Sequence, residues 1–103
     1  MPKRIIWSPL AERNLEEVLS YWTKRNQSSS YSLKLSNLLF DSVELLSQYP
    51  MLRKSTNLER VRLKVVRDFY IVYEVHENEI QIHAIWDTRQ NPIKLSKLLR
   101  SLT

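Results

Sequence analysis

The residues best suited to chemistry are three cations that alternate along one predicted strand. They are Arg60, Arg62 and Lys64. The residues between them are aliphatic, namely Val61, Leu63 and Val65. Successive side chains of a strand point to opposite faces, so the aliphatic row predicts a core on one face and the cationic row an open surface on the other. Three cations on an open face suit the binding of phosphates or carboxylates.

Cleavage of RNA through its own 2′-hydroxyl is one reaction that such a surface could support. It requires a base for the hydroxyl, an acid for the leaving oxygen and positive charge around the transition state. Arg62, Lys64 and Arg89 could supply that charge. Asp87 could orient Arg89 through an ion pair, or could simply cap the turn in which both residues lie.

Two further side chains could complete the reaction. Strict alternation along the last predicted strand puts His83 on the side of Gln81 and Ile85, from which it could face the cationic row as an acid or a base. Tyr70 could stack on a base or donate a proton. The simpler alternatives are a half-buried imidazole for His83 and, for the cationic row, a solvated face or a surface that docks an acidic protein.

Composition excludes several other kinds of site. The 103 residues include no Cys and no Gly, which rules out a thiol nucleophile, a thiolate metal site and a glycine-rich phosphate loop. No spacing of His, Asp and Glu predicts a metal site, and no cofactor is expected. We find no secretory signal and no apolar run of membrane length, which predicts a cytoplasmic protein without a membrane partner. The net charge of +5 favours nucleic acid or an acidic protein as partner.

The elements that must position these residues begin with a strand and two helices. Residues 3–7 form a short strand. Ser8-Pro9 then begins a helix that runs to about Arg25, because Ser is a good N-cap and Pro suits the first helical position. Apolar residues at helical spacing predict a second helix from about Ser30 to Gln48. The short polar connector between the two helices predicts a helical hairpin.

Three strands and a short helix make up the second half. Arg67-Asp68 joins the cationic strand to a strand over Phe69–Val75, and a last strand is predicted over Ile80–Trp86. Leucines at helical spacing predict a C-terminal helix, which could cover the sheet edge or bind a partner. The order β-α-α-β-β-β-α predicts one α+β domain over residues 1–103. Its antiparallel sheet would carry the helical hairpin on one face and leave the other face open.

Short motifs along nearly the whole chain carry a family resemblance. They are Ser-Pro-x-Ala at residues 8–11, Leu15-Glu16-Glu17-Val18 with Tyr21-Trp22, Tyr49-Pro50, Val61-Arg62 leading into Tyr70-Ile71-Val72-Tyr73, and Trp86-Asp87-Thr88-Arg89-Gln90-Asn91-Pro92. With these motifs in this order, the chain resembles the RelE/ParE superfamily, the toxins of type II toxin–antitoxin modules. The resemblance implies the compact family fold, a cytoplasmic location, a cognate antitoxin as partner and a role in plasmid stabilisation.

The resemblance implies one of two activities. The first is ribosome-dependent mRNA cleavage, with the ribosome and mRNA as partners, and the second is inhibition of DNA gyrase without enzymatic activity. Ribonuclease members carry basic residues on the strand that contains Arg62 and Lys64, and another after the last strand, where Arg89 lies. Those three residues, with His83, are the candidate catalytic set. The candidate surface for nucleic acid or antitoxin is wider: Arg60, Arg62, Lys64, Arg67, Tyr70 and Arg89.

Two departures from the ribonuclease pattern keep both activities open. Tyr70 stands where ribonuclease members often have an arginine, and residues 93–103 contain neither the tyrosine nor the histidine that several of them use. The long helical hairpin is typical of the gyrase-inhibiting branch. We expect an acidic antitoxin segment to cover Arg62 or Lys64. The alternatives are a family member without toxicity and, outside the superfamily, a non-catalytic basic module that binds nucleic acid or an acidic protein.

Overall fold

A computed structural model describes residues 3–49 and 61–102. The predicted fold class and element order are confirmed. The elements are β1 (Arg4–Trp7), α1 (Pro9–Asn26), α2 (Ser30–Gln48), β2 (Val61–Val66), β3 (Phe69–Val75), β4 (Glu79–Asp87) and α3 (Pro92–Ser101). The strand order is β1-β4-β3-β2, in which β2, β3 and β4 form the predicted antiparallel meander. β1 pairs with β4 in parallel, so that the sheet as a whole is mixed.

Local sequence explains both ends of α1. Ser8 Oγ accepts a hydrogen bond from the backbone N of Ala11 at 3.0 Å, and Pro9 occupies the first turn, where its missing N–H costs nothing. The helix ends at Asn26, and its C-cap Gln27 has a left-handed φ of 51°, a common conformation after a helix that a glycine would adopt at lower cost. The chain then turns directly into α2, which produces the predicted helical hairpin.

The helical hairpin packs on one face of the sheet, here called the hairpin face. α2 supplies a row of fully buried aliphatic residues, and β3 and β4 supply the apolar surface opposite. The central residues of this core are Leu35, Leu39, Val43, Leu46, Phe69, Ile71, Tyr73, Ile80 and Ile82.

The opposite face, here called the α3 face, is not open as predicted. Leucines of α3 pack there against a second apolar cluster, so the molecule has three layers. The residues involved are Leu95, Leu98, Leu99 and Leu102 of α3, with Val61, Leu63, Val72, Ala84 and Trp86 of the sheet. The terminal helix therefore covers a face of the sheet, whereas the sequence suggested that it could cover the edge of the sheet.

The cationic and the aliphatic row of β2 lie on the faces of the sheet opposite to those predicted. Residues directly opposite each other in an antiparallel pair lie on the same face. Arg62 is opposite Tyr73 and Lys64 is opposite Ile71, and both partners belong to the hairpin core. The prediction that the cationic row faces away from the hairpin is therefore wrong. Val61 and Leu63 of the aliphatic row pack on the other side, where α3 supplies a second apolar layer, whereas Val65 remains 63% exposed.

A β-bulge also breaks the alternation predicted for the last strand. Val72 pairs with Ala84 whereas Tyr73 pairs with Ile82, which makes His83 the extra residue on β4. Ile85 consequently lies in the hairpin core, and His83 does not share its side as predicted. No helix among the described residues has the length and apolar character needed to span a membrane.

Candidate functional site

The structure distributes the predicted site residues over several parts of the molecule. Arg62 and Lys64 lie on the hairpin face of β2, which is an edge strand, and both are partly exposed. Tyr70 is opposite Trp86 and lies on the α3 face. Arg67 occupies the β2–β3 turn with a left-handed φ of 53°. Arg60 lies outside the described residues.

His83 belongs to a cluster that the sequence did not suggest. Its Nε2 lies 3.2 Å from Oε1 of Glu74, and Nε2 of His76 approaches Oε2 of the same carboxylate at 2.5 Å. Glu74 is opposite Val61, which places this carboxylate on the α3 face. Within the described parts of the chain, no group of three or more His, Cys, Asp or Glu residues is arranged to hold a metal ion.

The predicted acid–base residue and the predicted cations are therefore on opposite faces of the sheet. A single scissile phosphate must be reached by the acid, the base and the stabilising charges at hydrogen-bonding distance. His83 is directed to Glu74 on the α3 face, whereas Arg62 and Lys64 lie on the hairpin face. These residues do not form the single catalytic cluster that the sequence predicted.

Arg89, in the turn after β4, forms an ion pair with Asp87. Its Nε donates to Oδ1 of Asp87 at 3.0 Å and its Nη2 donates to Oδ2 at 2.8 Å, which is a bidentate ion pair. The backbone N of Arg89 also donates to Oδ1, at 2.9 Å. Both functions suggested for Asp87, orienting Arg89 and capping the turn, are therefore present.

The same ion pair changes the acidity of both partners. Hydrogen bonds from the Arg89 side chain, more than any other effect, lower the pKa of Asp87 below its ordinary value of 3.8. The Asp87 carboxylate in turn raises the pKa of the Arg89 guanidinium. Arg89 is charged at any physiological pH, with or without the ion pair. The ion pair therefore fixes the orientation of the guanidinium and does not change its charge.

Trp22 of α1 makes a cation–π contact with the guanidinium of Arg89. The Cζ atom of Arg89 lies 5.9 Å from the centre of the Trp22 ring, within the range of a cation–π contact, and Arg25 makes a second contact at the same distance. Tyr21 and Tyr31 touch the same indole edge-on, with ring centroids 5.2 and 5.0 Å away. The indole is thus surrounded by side chains of its own chain.

The backbone that carries Arg89 is tied to the neighbouring turn. Thr88 donates to the carbonyl oxygen of Asp68 twice, from its backbone N at 2.8 Å and from Oγ1 at 2.9 Å. Gln90 N donates to the carbonyl oxygen of Asp87 at 3.1 Å. These bonds join the turn after β4 to the β2–β3 turn at one end of the sheet.

A cleft of about 170 Å³ lies between α1 and this end of the sheet, and we call it the Arg89 cleft. Apolar side chains line part of it, and polar groups of Asn14, Glu17, Asp87 and Arg89 line the rest. Asn14 Oδ1 accepts a hydrogen bond from the backbone N of Ile85 at 3.2 Å. The apolar lining residues include Val18, Trp22, Phe69 and Ile85.

Comparison with known proteins covers most of the chain. The family model described as the ParE toxin of the type II toxin–antitoxin system parDE matches residues 5–92. No curated protein matches the sequence significantly.

Two solved structures resemble the fold. A structure described as the chromosomal ParDE toxin–antitoxin system from P. aeruginosa aligns with a TM-score of 0.73 and 19% identity, over 84% of this chain and 97% of that one. The structure of the YoeB dimer from Staphylococcus aureus aligns with a TM-score of 0.59 and 16% identity, over the same fractions of the two chains. At these identities the likeness is one of fold.

Proposed function

Since the chain belongs to the ParE toxin family of type II toxin–antitoxin systems, we propose that it arrests growth by inhibiting DNA gyrase, and that a cognate antitoxin neutralises it. It acts by binding and carries out no covalent chemistry. Binding to gyrase, and not cleavage of mRNA, is the activity that its side chains support best.

One observation carries the choice between the two activities. A nuclease needs acid–base groups and stabilising charge around one phosphate. Here His83 is held by Glu74 on the α3 face, while Arg62 and Lys64 lie on the hairpin face. Separated in this way, the groups do not support a shared reaction, but the partly exposed cations still support binding to an anionic or acidic surface.

The proposal is tested by assaying both activities with the same purified protein. We expect inhibition of gyrase-catalysed supercoiling of plasmid DNA, and no cleavage of a reporter mRNA in a translating extract as measured by primer extension. Growth after induction should stop, and should resume when a cognate antitoxin, sought in the adjoining reading frames, is expressed as well. Cleavage at defined codons with gyrase unaffected would reject the gyrase proposal in favour of the nuclease.

Replacement of His83 gives a sharper prediction at the level of one residue. We expect His83→Ala to leave growth arrest unchanged, because the His83 side chain is only 17% exposed and is directed to Glu74. If the chain were a nuclease that used His83 as acid or base, the same change would lower the rate by about 10²- to 10⁴-fold. His76→Ala is the matched control, since it removes the other imidazole at Glu74.

The double variant Arg62→Ala/Lys64→Ala tests whether the cations of β2 contribute to binding. We expect weaker inhibition of gyrase, with the largest loss at low salt, where the charges of these partly exposed residues are least screened. The control variant Arg13→Ala/Lys34→Ala removes the same charge from exposed positions on α1 and α2. Equal losses in the two double variants would mean that net charge alone matters and that β2 has no specific role.

A further inference from the structure

We propose that the exposed side of α3 binds the phosphate backbone of duplex DNA. Lys94 and Lys97 provide the main contacts, and Arg100 lies about one turn further along the same helix. The binding does not depend on DNA sequence, because it involves phosphates and no base edges. It goes beyond the proposed inhibition of gyrase and is independent of it, since no second protein takes part.

Residues 88–103 carry most of the net positive charge of the protein. This segment contains four Lys or Arg residues and no Asp or Glu, whereas residues 1–87 contain 12 Lys or Arg residues and 11 Asp or Glu. Three of the four cations belong to α3, namely Lys94, Lys97 and Arg100. Solubility requires net charge but not its concentration in one short segment, and such a concentration is typical of a surface that binds a polyanion.

The packing of α3 directs these cations to solvent. One side of the helix packs on the sheet through Leu95, Leu98, Leu99 and Leu102. Lys94, Lys97 and Arg100 follow one another at intervals of three residues, which makes them neighbours on the other side of the helix, and all three are exposed. At 1.5 Å per residue they span about 9 Å along the axis. Three steps along one strand of DNA cover roughly 10 Å, so the row matches successive phosphates.

The carboxylates of the neighbouring strands already have other partners. β3 and β4 contain three acidic residues, and each contacts a histidine or an arginine: Glu74 with His76 and His83, Glu79 with Arg4, and Asp87 with Arg89. Within the described residues, neither Lys94 nor Lys97 forms an ion pair. The two ammonium groups are therefore available to an external anion.

The exposed residues of α3 favour a nucleic acid over a protein or a membrane. After Pro92 and Ile93 in the first turn, they are only Lys, Arg and Ser, whose side chains commonly contact phosphates. Protein–protein interfaces have an apolar centre, whereas interfaces with DNA are more polar and more positively charged. A helix that lies on a membrane buries its apolar side in lipid, but the leucines of α3 are already packed on the sheet.

The absence of aromatic residues from α3 favours a duplex over a single strand. Proteins that bind single strands combine cations with aromatic side chains on which the bases stack. α3 has no aromatic residue, and Trp86 packs with its leucines in the cluster of the α3 face. Duplex RNA is bound across about 16 base pairs through its 2′-hydroxyl groups, which is far longer than this row of cations. A short, regular row on a packed helix therefore suits the backbone of duplex DNA best.

The experiment measures binding of the purified chain to a short fluorescent DNA duplex by fluorescence anisotropy at several salt concentrations. We expect the affinity to fall steeply as salt rises, and to be the same for a second duplex of unrelated sequence. Lys94→Gln/Lys97→Gln should reduce the slope of log affinity against log salt by about 2, because each phosphate contact contributes about 0.9. Gln has nearly the helix propensity of Lys, so α3 should stay folded, which circular dichroism checks.

Arg13→Gln/Lys34→Gln is the matched control. It removes the same charge from exposed positions on α1 and α2, outside the proposed contact. Both double variants lower the long-range attraction of DNA equally, but only the α3 variant loses phosphate contacts. We therefore expect the control to keep the salt slope of the wild type.

Three results would overturn the proposal. One is a DNA duplex that does not bind even at low salt. Another is an equal loss of slope in the two double variants, which would reduce the contact to net charge. The third is tighter binding of single-stranded RNA or of polyglutamate than of the duplex, which would assign α3 to a different class of polymer. Gyrase inhibition is measured separately, so its failure would reject the proposed function and leave the DNA measurements valid.

Discussion

Asp87 and Arg89 are only two residues apart, yet three hydrogen bonds from Arg89 converge on the Asp87 carboxylate. Exposed ion pairs usually contribute little to stability, because solvent screens them and ordering two long side chains costs entropy. The backbone bond and the Trp22 ring restrict this pair in advance, which reduces that entropic cost. We therefore expect the Asp87–Arg89 pair to raise the free energy of unfolding measurably, by an amount that depends on the charge of Asp87.

The first of three stability predictions concerns the pH dependence of Asp87→Asn. The pKa of Asp87 is lower in the folded chain than its ordinary value of 3.8, so ionised Asp87 stabilises the fold above that value. This contribution is lost as the pH falls through the lowered pKa. The free energy of unfolding should therefore be smaller for the variant than for the wild type at pH 7, and the difference should shrink below about pH 3.8.

Urea denaturation across this pH range measures the difference. Asp41→Asn is the control, because Asp41 is exposed on α2. A stability difference for Asp87→Asn that stays constant from pH 7 to about pH 2 would mean that the carboxylate charge does not contribute.

At the scale of elements, Ser8 connects the start of α1 to the bulge in β4. Its Oγ accepts from the N of Ala11 and donates to the carbonyl oxygen of His83 at 2.9 Å, while its backbone N donates to Ile82 O. β1 ends at Trp7, opposite Ile82, so the backbone of β4 beyond that point needs other partners. Ser8, together with Asn14, supplies them.

The second prediction follows from these bonds. Ser8→Ala should lower the free energy of unfolding by about 1–2 kcal/mol, because it removes the N-cap and leaves the His83 carbonyl without its hydroxyl donor. Ser29→Ala is a matched control, since Ser29 precedes α2 but makes no side-chain capping bond. Thermal unfolding of the two variants measures the difference. Equal losses of stability would contradict the role assigned to the Ser8 hydroxyl.

Local signals predicted α1 well and β4 less well, for a physical reason. Ser8-Pro9 determines the start of α1 through its own hydrogen bonding and fixed φ. The bulge at His83 depends on pairing with β3 and on bonds from α1, neither of which is local. The run Ala84-Ile85-Trp86 was the available signal, since consecutive apolar residues indicate a strand that is buried on both faces.

At the scale of the whole molecule, the two rows of β2 could not be assigned from alternation alone. Alternation separates two faces but does not say which face a given helix covers. Here the helical hairpin packs on one face and α3 on the other, so each row has a packed layer nearby. The contact between Arg89 and Trp22 joins α1 to the turn after β4, and it too required the tertiary structure.

The third prediction is that the two layers differ in stability. Leu39 of α2 is fully buried in the hairpin core, whereas α3 contains no fully buried residue among those described. Leu39→Ala should therefore cost about 2–5 kcal/mol of global stability, through lost burial and the cavity that remains. Leu98→Ala, at a partly buried position of α3, should cost less, and its effect should be confined mainly to the third layer.

Native-state hydrogen exchange distinguishes this layered behaviour from uniform cooperativity. In the wild type, we expect α3 amides to open with a smaller free energy than β3 amides, because less apolar surface holds α3 in place. Leu98→Ala should lower protection in α3 and leave β3 nearly unchanged, whereas Leu39→Ala should lower both. Ile93→Ala, at a position of α3 that is 60% exposed, should change neither. Identical opening free energies in α3 and β3 would show that the three layers unfold as one unit, and the α3 face would then be as firmly closed as the hairpin face.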